Sequence, residues 1–292
     1  MTEIRSEAVG RMRRAATPEK VPLWLRGWSV DATPPTVEGI SSLGGHIDAG
    51  SEIYLSSLPR VAHADQIAAA VAVRRAGFEP VLHLAARKFS SEQELADHLG
   101  AAGEGAGVRK AVVVAGDIDA VRGPFGSSID LIGAPAFASS AIVEVGLGGY
   151  PEGHPFVQSG DLASSLAAKI AAVQAVGMVP FVVSQFSFDA ARILRWLAWL
   201  RTFAPATPVK LGVASPTRPE TLMKIALRCW VDMPSSGLKA APDHVIADLD
   251  EGLKAHHEQG PVQLHLYSFG ALLRTAKWAT AATRTAELAR EA

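Results

Sequence analysis

The sequence predicts a single-domain α/β fold, a closed (β/α)8 TIM barrel, and three observations carry that expectation. Apolar runs recur eight times along 292 residues, alternating with stretches rich in Ala, Leu, Arg and Glu. The runs are almost continuously hydrophobic, as expected of parallel strands covered on both faces. The first run leads into Ala32-Thr33-Pro34-Pro35, without the glycine-rich phosphate turn that usually follows the first strand of an open doubly wound sheet.

The elements follow in order. The first strand is expected over Leu23–Thr33, stopped by Pro34-Pro35, and the second over Ile53–Ser57. A helix from Ala64 to Ala76 ends at Gly77. The third strand is Pro80–Ala86, and the next helix starts near Ser91, with Glu94 three residues on as a capping box. The fourth strand, Lys110–Ala115, ends in Gly116-Asp117, and the fifth, Ala141–Gly146, runs into glycines. The sixth is Pro180–Gln185, the seventh Pro208–Ala214 and the eighth Pro261–Tyr267. The long interval Pro234–Gly260 has room for an extra helix. Residues 1–22 read as a polar arm and 23–292 as the barrel, with no linker between domains.

Composition narrows the function. A hydrophobic fraction of 48% and a charged fraction of 20% suffice for one large core. Net charge is -1, with no basic stripe, which argues against a nucleic-acid surface. Arg11-Met12-Arg13-Arg14 reads as part of a solvated terminus. The one cysteine, Cys229, allows neither a disulfide framework nor a thiolate metal site, and its neighbours Leu227, Trp230 and Val231 suggest a buried structural thiol. No pair of histidines has zinc-ligand spacing, so no metal is expected. No signal core is present, and no apolar run approaches the ~20 residues that span a bilayer. The expected location is cytoplasmic.

In barrels of this kind, catalytic groups stand at the C-terminal ends of the strands. Reading those ends gives Ser29 and Asp31; Ser56 and Ser57; His83 and Arg87; Asp117; Tyr150, Glu152 and His154; Gln185, Phe186, Phe188 and Asp189; Ser215; and His265 with Tyr267. Asp189 reads as the N-cap of the helix it precedes. Asp117, behind a glycine, reads as functional. His83 and His265 divide evenly between core and site. His63, His98, His256 and His257 lie in polar helical surroundings and read as solvated. Ser56 and Ser57 lack the Gly-x-Ser-x-Gly setting of a nucleophile, so covalent catalysis is not supported.

Five segments occur in order: Ser29-Val30-Asp31-Ala32-Thr33-Pro34-Pro35, Gly116-Asp117, Gly149-Tyr150-Pro151-Glu152-Gly153-His154-Pro155, Ser184-Gln185-Phe186-Ser187-Phe188 and His265-Leu266-Tyr267. Together they resemble the motifs of the methylenetetrahydrofolate reductase family in its bacterial, catalytic-domain-only form, over about Trp24 to Trp278. The Tyr-Pro-Glu-x-His-Pro and Gln-Phe-x-Phe pieces are the most specific. The resemblance implies a (β/α)8 barrel holding FAD in its mouth. It implies hydride transfer from NADH or NADPH through the flavin to 5,10-methylenetetrahydrofolate, giving 5-methyltetrahydrofolate, or the reverse. It assigns Asp31 as the acid that protonates the folate nitrogen and places Asp117 near flavin and folate. Ser56 would meet the flavin N5 edge, and His83, Tyr150 and His154 would hold the ring and ribityl chain. Asp161, Lys169, Ser127 and Ser128 would meet the adenosine and pyrophosphate. Gln185 and Phe188 would bind the substrate. The implied partners are a reduced folate and a nicotinamide, with no nucleic acid and no membrane; a homo-oligomer is compatible with the sequence, which does not fix one.

The departures are specific. The family carries Glu where this chain has Asp31, which is one methylene shorter. Ala115 stands where the family often has arginine, and Pro219 near a family phenylalanine. Two alternatives therefore accompany the flavin-dependent reductase: a flavin-independent reductase of the same family, and a catalytically weak folate-binding protein.

Overall fold

Eight strands close into one parallel ring in sequence order: β1 (Ser29–Ala32), β2 (Glu52–Leu55), β3 (Glu79–Ala85), β4 (Lys110–Val114), β5 (Glu144–Gly149), β6 (Val179–Ser184), β7 (Val209–Ala214) and β8 (Val262–Tyr267). The computed structural model describes residues 22–116, 120–154, 157–233, 242–255 and 260–288. The arm with Arg11–Arg14, Asp117, His256 and His257 lie outside the described residues. Val30 pairs with Ile53 on one side and Leu266 on the other, which closes the ring.

Helices follow the strands. They are α1 (Val37–Ser41), α2 (His63–Arg75), α3 (Glu92–Ala106), α4 (Ser128–Ile132), α5 (Pro135–Ala138), α6 (Ser159–Ala175), α7 (Ala190–Arg201), α8 (Pro219–Cys229), α9 (Pro242–Ala255) and α10 (Leu272–Leu288). The extra helix expected between the seventh and eighth strands is α9. Among the described residues no helix is long and apolar enough to cross a membrane.

Most element boundaries shift by a residue or more from the expectation, and two of the shifts have a visible reason. The first strand begins at Ser29 because Leu23–Leu25 form a 3-10 turn and Gly27, at φ +62°, breaks the extended run. The fifth strand continues through its glycines. A Cβ on Gly146 would lie 2.7 Å from the ring of Phe181, and one on Gly149 would lie 2.3 Å from Trp196. These glycines are strand positions whose side-chain space is already filled by neighbours, not a stop. At Ser91 the expected capping box is half formed. Ser91 Oγ accepts the Glu94 N–H at 3.1 Å, but the Glu94 carboxylate turns to the N–H and hydroxyl of Ser90, each at 2.6 Å.

The main core lies between barrel and helices, with Val30, Ile53, Leu82, Leu147 and Leu211 buried against Val73, Leu95, Ile193 and Leu249. Inside the ring, Tyr54, Val81, Val112, Phe181 and Val183 fill the middle. Below them lies a cluster of charges. Glu52 receives Lys110 Nζ and Lys210 Nζ, each at 2.7 Å, and the Tyr54 hydroxyl at 3.2 Å. Lys110 also reaches Glu144 at 3.1 Å, and Lys210 donates to Gln263 at 2.9 Å. Burial pushes the Glu52 carboxyl up, but the charges and hydrogen bonds of the two lysines prevail and hold it at about 2. This floor is at the end of the barrel opposite the catalytic loops, where such features read as stability.

Candidate active site at the barrel mouth

The period of two along β1 sends Ser29 and Asp31 to the same face, and Thr33 follows in the bend just past the strand end. Asp31 is 4% exposed. One carboxylate oxygen accepts the backbone N–H of Ser268, and the other accepts the hydroxyl of Thr33. The Ser268 hydroxyl donates to the Asp31 carbonyl at 2.8 Å. Burial pushes the Asp31 carboxyl above its ordinary value, against the lowering effect of those donors. Ser56 is also buried, and its Oγ lies 2.5 Å from Thr33 Oγ1. A carboxyl group and two hydroxyls thus form one continuous chain at the ends of β1 and β2.

Two imidazoles lie beneath. His265 Nδ1 is 2.9 Å from Ser29 Oγ, and its ring meets Tyr54 edge-on at 4.5 Å. His83 meets Tyr54 from the other side at 5.9 Å. Burial lowers His83 to about 4 and drives His265 well below the usual imidazole range, so both are neutral at pH 7. The Nε2 atoms of both are buried without a hydrogen-bond partner among the described residues. The even choice between core and site for these two histidines thus ends with both inside the barrel, each with a polar atom unsatisfied.

Across the mouth, β5 passes into Tyr150, whose ring meets His154 at 5.3 Å, nearly perpendicular. Gly148 makes room for it; a Cβ there would stand 3.3 Å from the Tyr150 hydroxyl. Glu152, from the same motif, does not line the mouth. Its side chain is 2% exposed, accepts from Ser187 Oγ at 2.5 Å and pairs with Arg192, which also reaches Asp232 at 2.7 Å. The motif glutamate therefore ties the loop after β5 to α7. Asp189 caps α7 through a 3.0 Å bond from the Arg192 N–H, as expected.

On the β6–β8 side, Gln185 donates its side-chain amide to the Cys229 carbonyl at 3.0 Å, at the end of α8. Phe188 is buried with Phe186 against Leu222 and Ala226 of α8. The Tyr267 hydroxyl donates to the Ser184 carbonyl at 2.9 Å. Cys229 is half-buried rather than enclosed, because α8 turns Leu227 and Trp230 outward, at 79% and 60% exposure.

Behind β5, a cleft of about 460 Å³ opens between α6 and α7. Tyr150, Lys169, Arg195, Trp196 and Trp199 are among its walls. Burial lowers the Lys169 ammonium. Asp161 is exposed in the first turn of α6. Ser127 caps α4 in a reciprocal box with Asp130, accepting at 3.3 Å and donating at 2.8 Å, and Ser128 is buried beside it.

Two histidines read as solvated are not. His98 is 5% exposed, with both ring nitrogens unpartnered among the described residues. His63 stacks on Phe89 at 4.6 Å and lies 3.2 Å from Glu94. Packing of α2 on α3 covers them, and neither helix shows that in its own sequence. Among the described residues, no group of three His, Cys, Asp or Glu side chains could hold a metal ion. Sequence reasoning passed over Thr33. Its signal was its place two residues after Asp31, where the chain leaves β1.

A buried carboxyl at the end of the first strand, above two neutral imidazoles and with aromatic rings across the mouth, makes this end of the (β/α)8 barrel the candidate active site. The family described as methylenetetrahydrofolate reductase matches residues 54–256, and this chain belongs to it. It is accordingly an oxidoreductase of the methylenetetrahydrofolate reductase type. The matched span begins on β2 and ends just after α9, so Asp31, Thr33 and Ser268 lie beyond it. Among solved structures, a GH18 chitinase from Pseudoalteromonas aurantia is similar at a TM-score of 0.52 and 11% identity, over 88% of this chain and 99% of that one. A candidate phosphonomutase from Burkholderia cenocepacia is similar at 0.51 and 11%, over 88% and 92%. At such identity the likeness is one of fold.

Proposed function

We infer that this barrel reduces 5,10-methylenetetrahydrofolate to 5-methyltetrahydrofolate, with hydride drawn from NADH or NADPH and carried by FAD in the mouth. The observation that carries this reading is Asp31, a buried carboxyl with a raised pKa at the end of β1. The reaction needs an acid to open the imidazolidine ring, and an aspartic acid that keeps its proton above the ordinary range is suited to deliver one. The residues present fit a flavin. His83 offers a buried, unsatisfied Nε2, and the Tyr150 and His154 rings pack on each other at the end of β5. Ser56, His83, Tyr150 and His154 would hold the ring system and ribityl chain. Lys169, Asp161, Ser127 and Ser128 would meet the adenosine and pyrophosphate. A bound flavin supplies the two-electron carrier between nicotinamide and folate.

The chain's own groups do the remainder. Asp31 supplies the proton as the folate ring opens to its cationic iminium. Asp117 supplies negative charge beside that cation, where a low-dielectric mouth strengthens it. Gln185 and Phe188 bind the pterin, Gln185 exchanging its bond to the Cys229 carbonyl for one to the substrate.

The spectrum of the purified protein tests this reading. Non-covalent FAD in about one-to-one ratio is expected, with NADH-dependent turnover of methylenetetrahydrofolate. Direct hydride transfer without flavin is the second reading. Ala115, which stands where the family often has arginine, favours it. A colourless protein that turns over folate and ignores added FAD would establish that second reading. A protein that binds folate without turnover would leave only a binding role.

Asp117→Asn keeps shape and removes charge. Folate reduction is expected to fall by roughly tenfold to a thousandfold, the range for a lost electrostatic or acid–base group. FAD binding, read by fluorescence, should persist. Unchanged turnover would make Asp117 a structural residue.

A further inference from the structure

We propose that Thr33 hands the proton to the substrate, and that Asp31 is the reservoir behind it. The proposal deepens the reductase reading above and rests on it.

Asp31 has no free edge. One oxygen accepts the Ser268 N–H, the other faces the Thr33 hydroxyl, and the residue is 4% exposed. A carboxyl held on both oxygens inside the wall does not itself reach a ligand in the mouth. Thr33 lies in the bend just past the end of β1, is partly exposed, and is 2.5 Å from Ser56 Oγ. Among the described residues, Tyr267 is an ionisable side chain that feels the charge of Asp31, and burial raises its phenol far above neutral pH, so it is neutral.

The protonation state of Asp31 sets the direction of the chain. As a carboxylate it accepts from Thr33, and Thr33 accepts from Ser56. Once protonated, it carries its proton on the oxygen facing Thr33, because the other oxygen receives an amide N–H. It then donates to Thr33 Oγ1, and the Thr33 proton turns outward to Ser56 or to a ligand atom in the mouth. With substrate bound, the folate nitrogen takes the Thr33 proton while Thr33 takes the one from Asp31. The carbon–nitrogen bond of the five-membered ring breaks, and its electron pair stays on that nitrogen. The positive charge remains on the iminium, which the hydride then neutralises. Asp31 is left as a carboxylate with two donors in place, to be reprotonated from water between turnovers. An aspartate one methylene shorter than the family's glutamate thus reaches the substrate through a hydroxyl, and Asp31, Thr33 and Ser268 lie outside the span that matches the family.

The test compares Thr33→Val, which keeps the shape, with Thr33→Ser, which keeps the hydroxyl. Folate reduction is measured at saturating methylenetetrahydrofolate across pH, and the Asp31 carboxyl band is followed by infrared difference against Asp31→Asn. Thr33→Val should lose roughly a hundredfold in kcat with little change in KM, as for a removed proton-transfer group. Thr33→Ser should recover most of that loss. The double variant Asp31→Asn/Thr33→Val should be no slower than Asp31→Asn alone, as for two members of one unit. In Thr33→Val the Asp31 band should titrate at higher pH, since the lost hydrogen bond favoured the charged form; this readout needs no substrate. Full turnover in Thr33→Val with loss in Asp31→Asn overturns the relay and leaves Asp31 as the direct donor. Equal impairment in Val and Ser variants also overturns it, as a packing effect. Full turnover in Asp31→Asn also overturns the relay, since its reservoir is gone; no folate turnover in the unsubstituted protein overturns instead the reductase reading beneath it.

Discussion

Asp31→Asn is expected to abolish reduction of methylenetetrahydrofolate while leaving oxidation of NADH by an artificial acceptor such as menadione nearly intact. In the proposed cycle only the folate half-reaction consumes a proton delivered to a ring nitrogen; transfer from nicotinamide to flavin would not. The loss should be on the order of a hundredfold to ten-thousandfold, the range for general acid catalysis. The raised pKa of the carboxyl sets the pH dependence. Turnover should hold where Asp31 keeps its proton and decline as pH rises through a value above the ordinary aspartate range. The amide of Asn can retain the Ser268 N–H as donor to its oxygen, so the fold is expected to survive. Equal loss of both half-reactions would make Asp31 a structural clamp of the mouth and move the proton source elsewhere. Asp31→Glu restores the family's reach and should keep some activity.

Glu52→Ala is expected to cost the protein about 3 kcal/mol of stability or more, because it leaves two lysines at the barrel floor without their shared carboxylate. Side-chain exposures of 16% for Glu52 and 10% for Lys210 make solvent a poor substitute. The pH dependence has a definite sign. The folded carboxyl sits at about 2, below its ordinary 4.5. Its contribution is therefore present above about 4.5 and is lost as pH falls from 4.5 towards 2. The separation corresponds to roughly 3 kcal/mol. Thermal melts of the unsubstituted protein and Glu52→Gln should differ at pH 7 and converge in acid. Coincident melts at pH 7 would show that the cluster contributes nothing.

The ring of strands was legible because each strand is a short apolar run, and burial on both faces leaves that mark on every one. Boundaries were less legible where a residue's role is set from outside its own strand. Gly146 and Gly149 read as terminators, yet Phe181 and Trp196 make them interior positions. The candidate acid was legible from its place at a strand end, and so were His83 and Tyr150. Glu152 showed its motif but not its purpose, since Arg192 lies 40 residues away. The floor charges were hidden for the same reason: Glu52 and Lys110 are 58 residues apart and meet only when the ring closes. His98 sits among apolar neighbours Leu95, Leu99 and Ala102 on α3, but only the packing of α2 against that helix encloses it.

The donor on Asp31 comes from a residue 237 positions later in the chain. The acid is thus among the first parts of the barrel to be synthesised, and its holder among the last. Until β8 docks beside β1, the carboxyl is an ordinary solvated aspartate with neither its proton affinity nor its orientation. A chain terminated after β7 would carry Asp31, Thr33, Ser56, His83, Tyr150 and Gln185 and still lack a working acid. If Asp31 is the acid, competence arrives only when the last strand of the barrel docks, and barrels without β8 are expected to be chemically silent as well as badly folded.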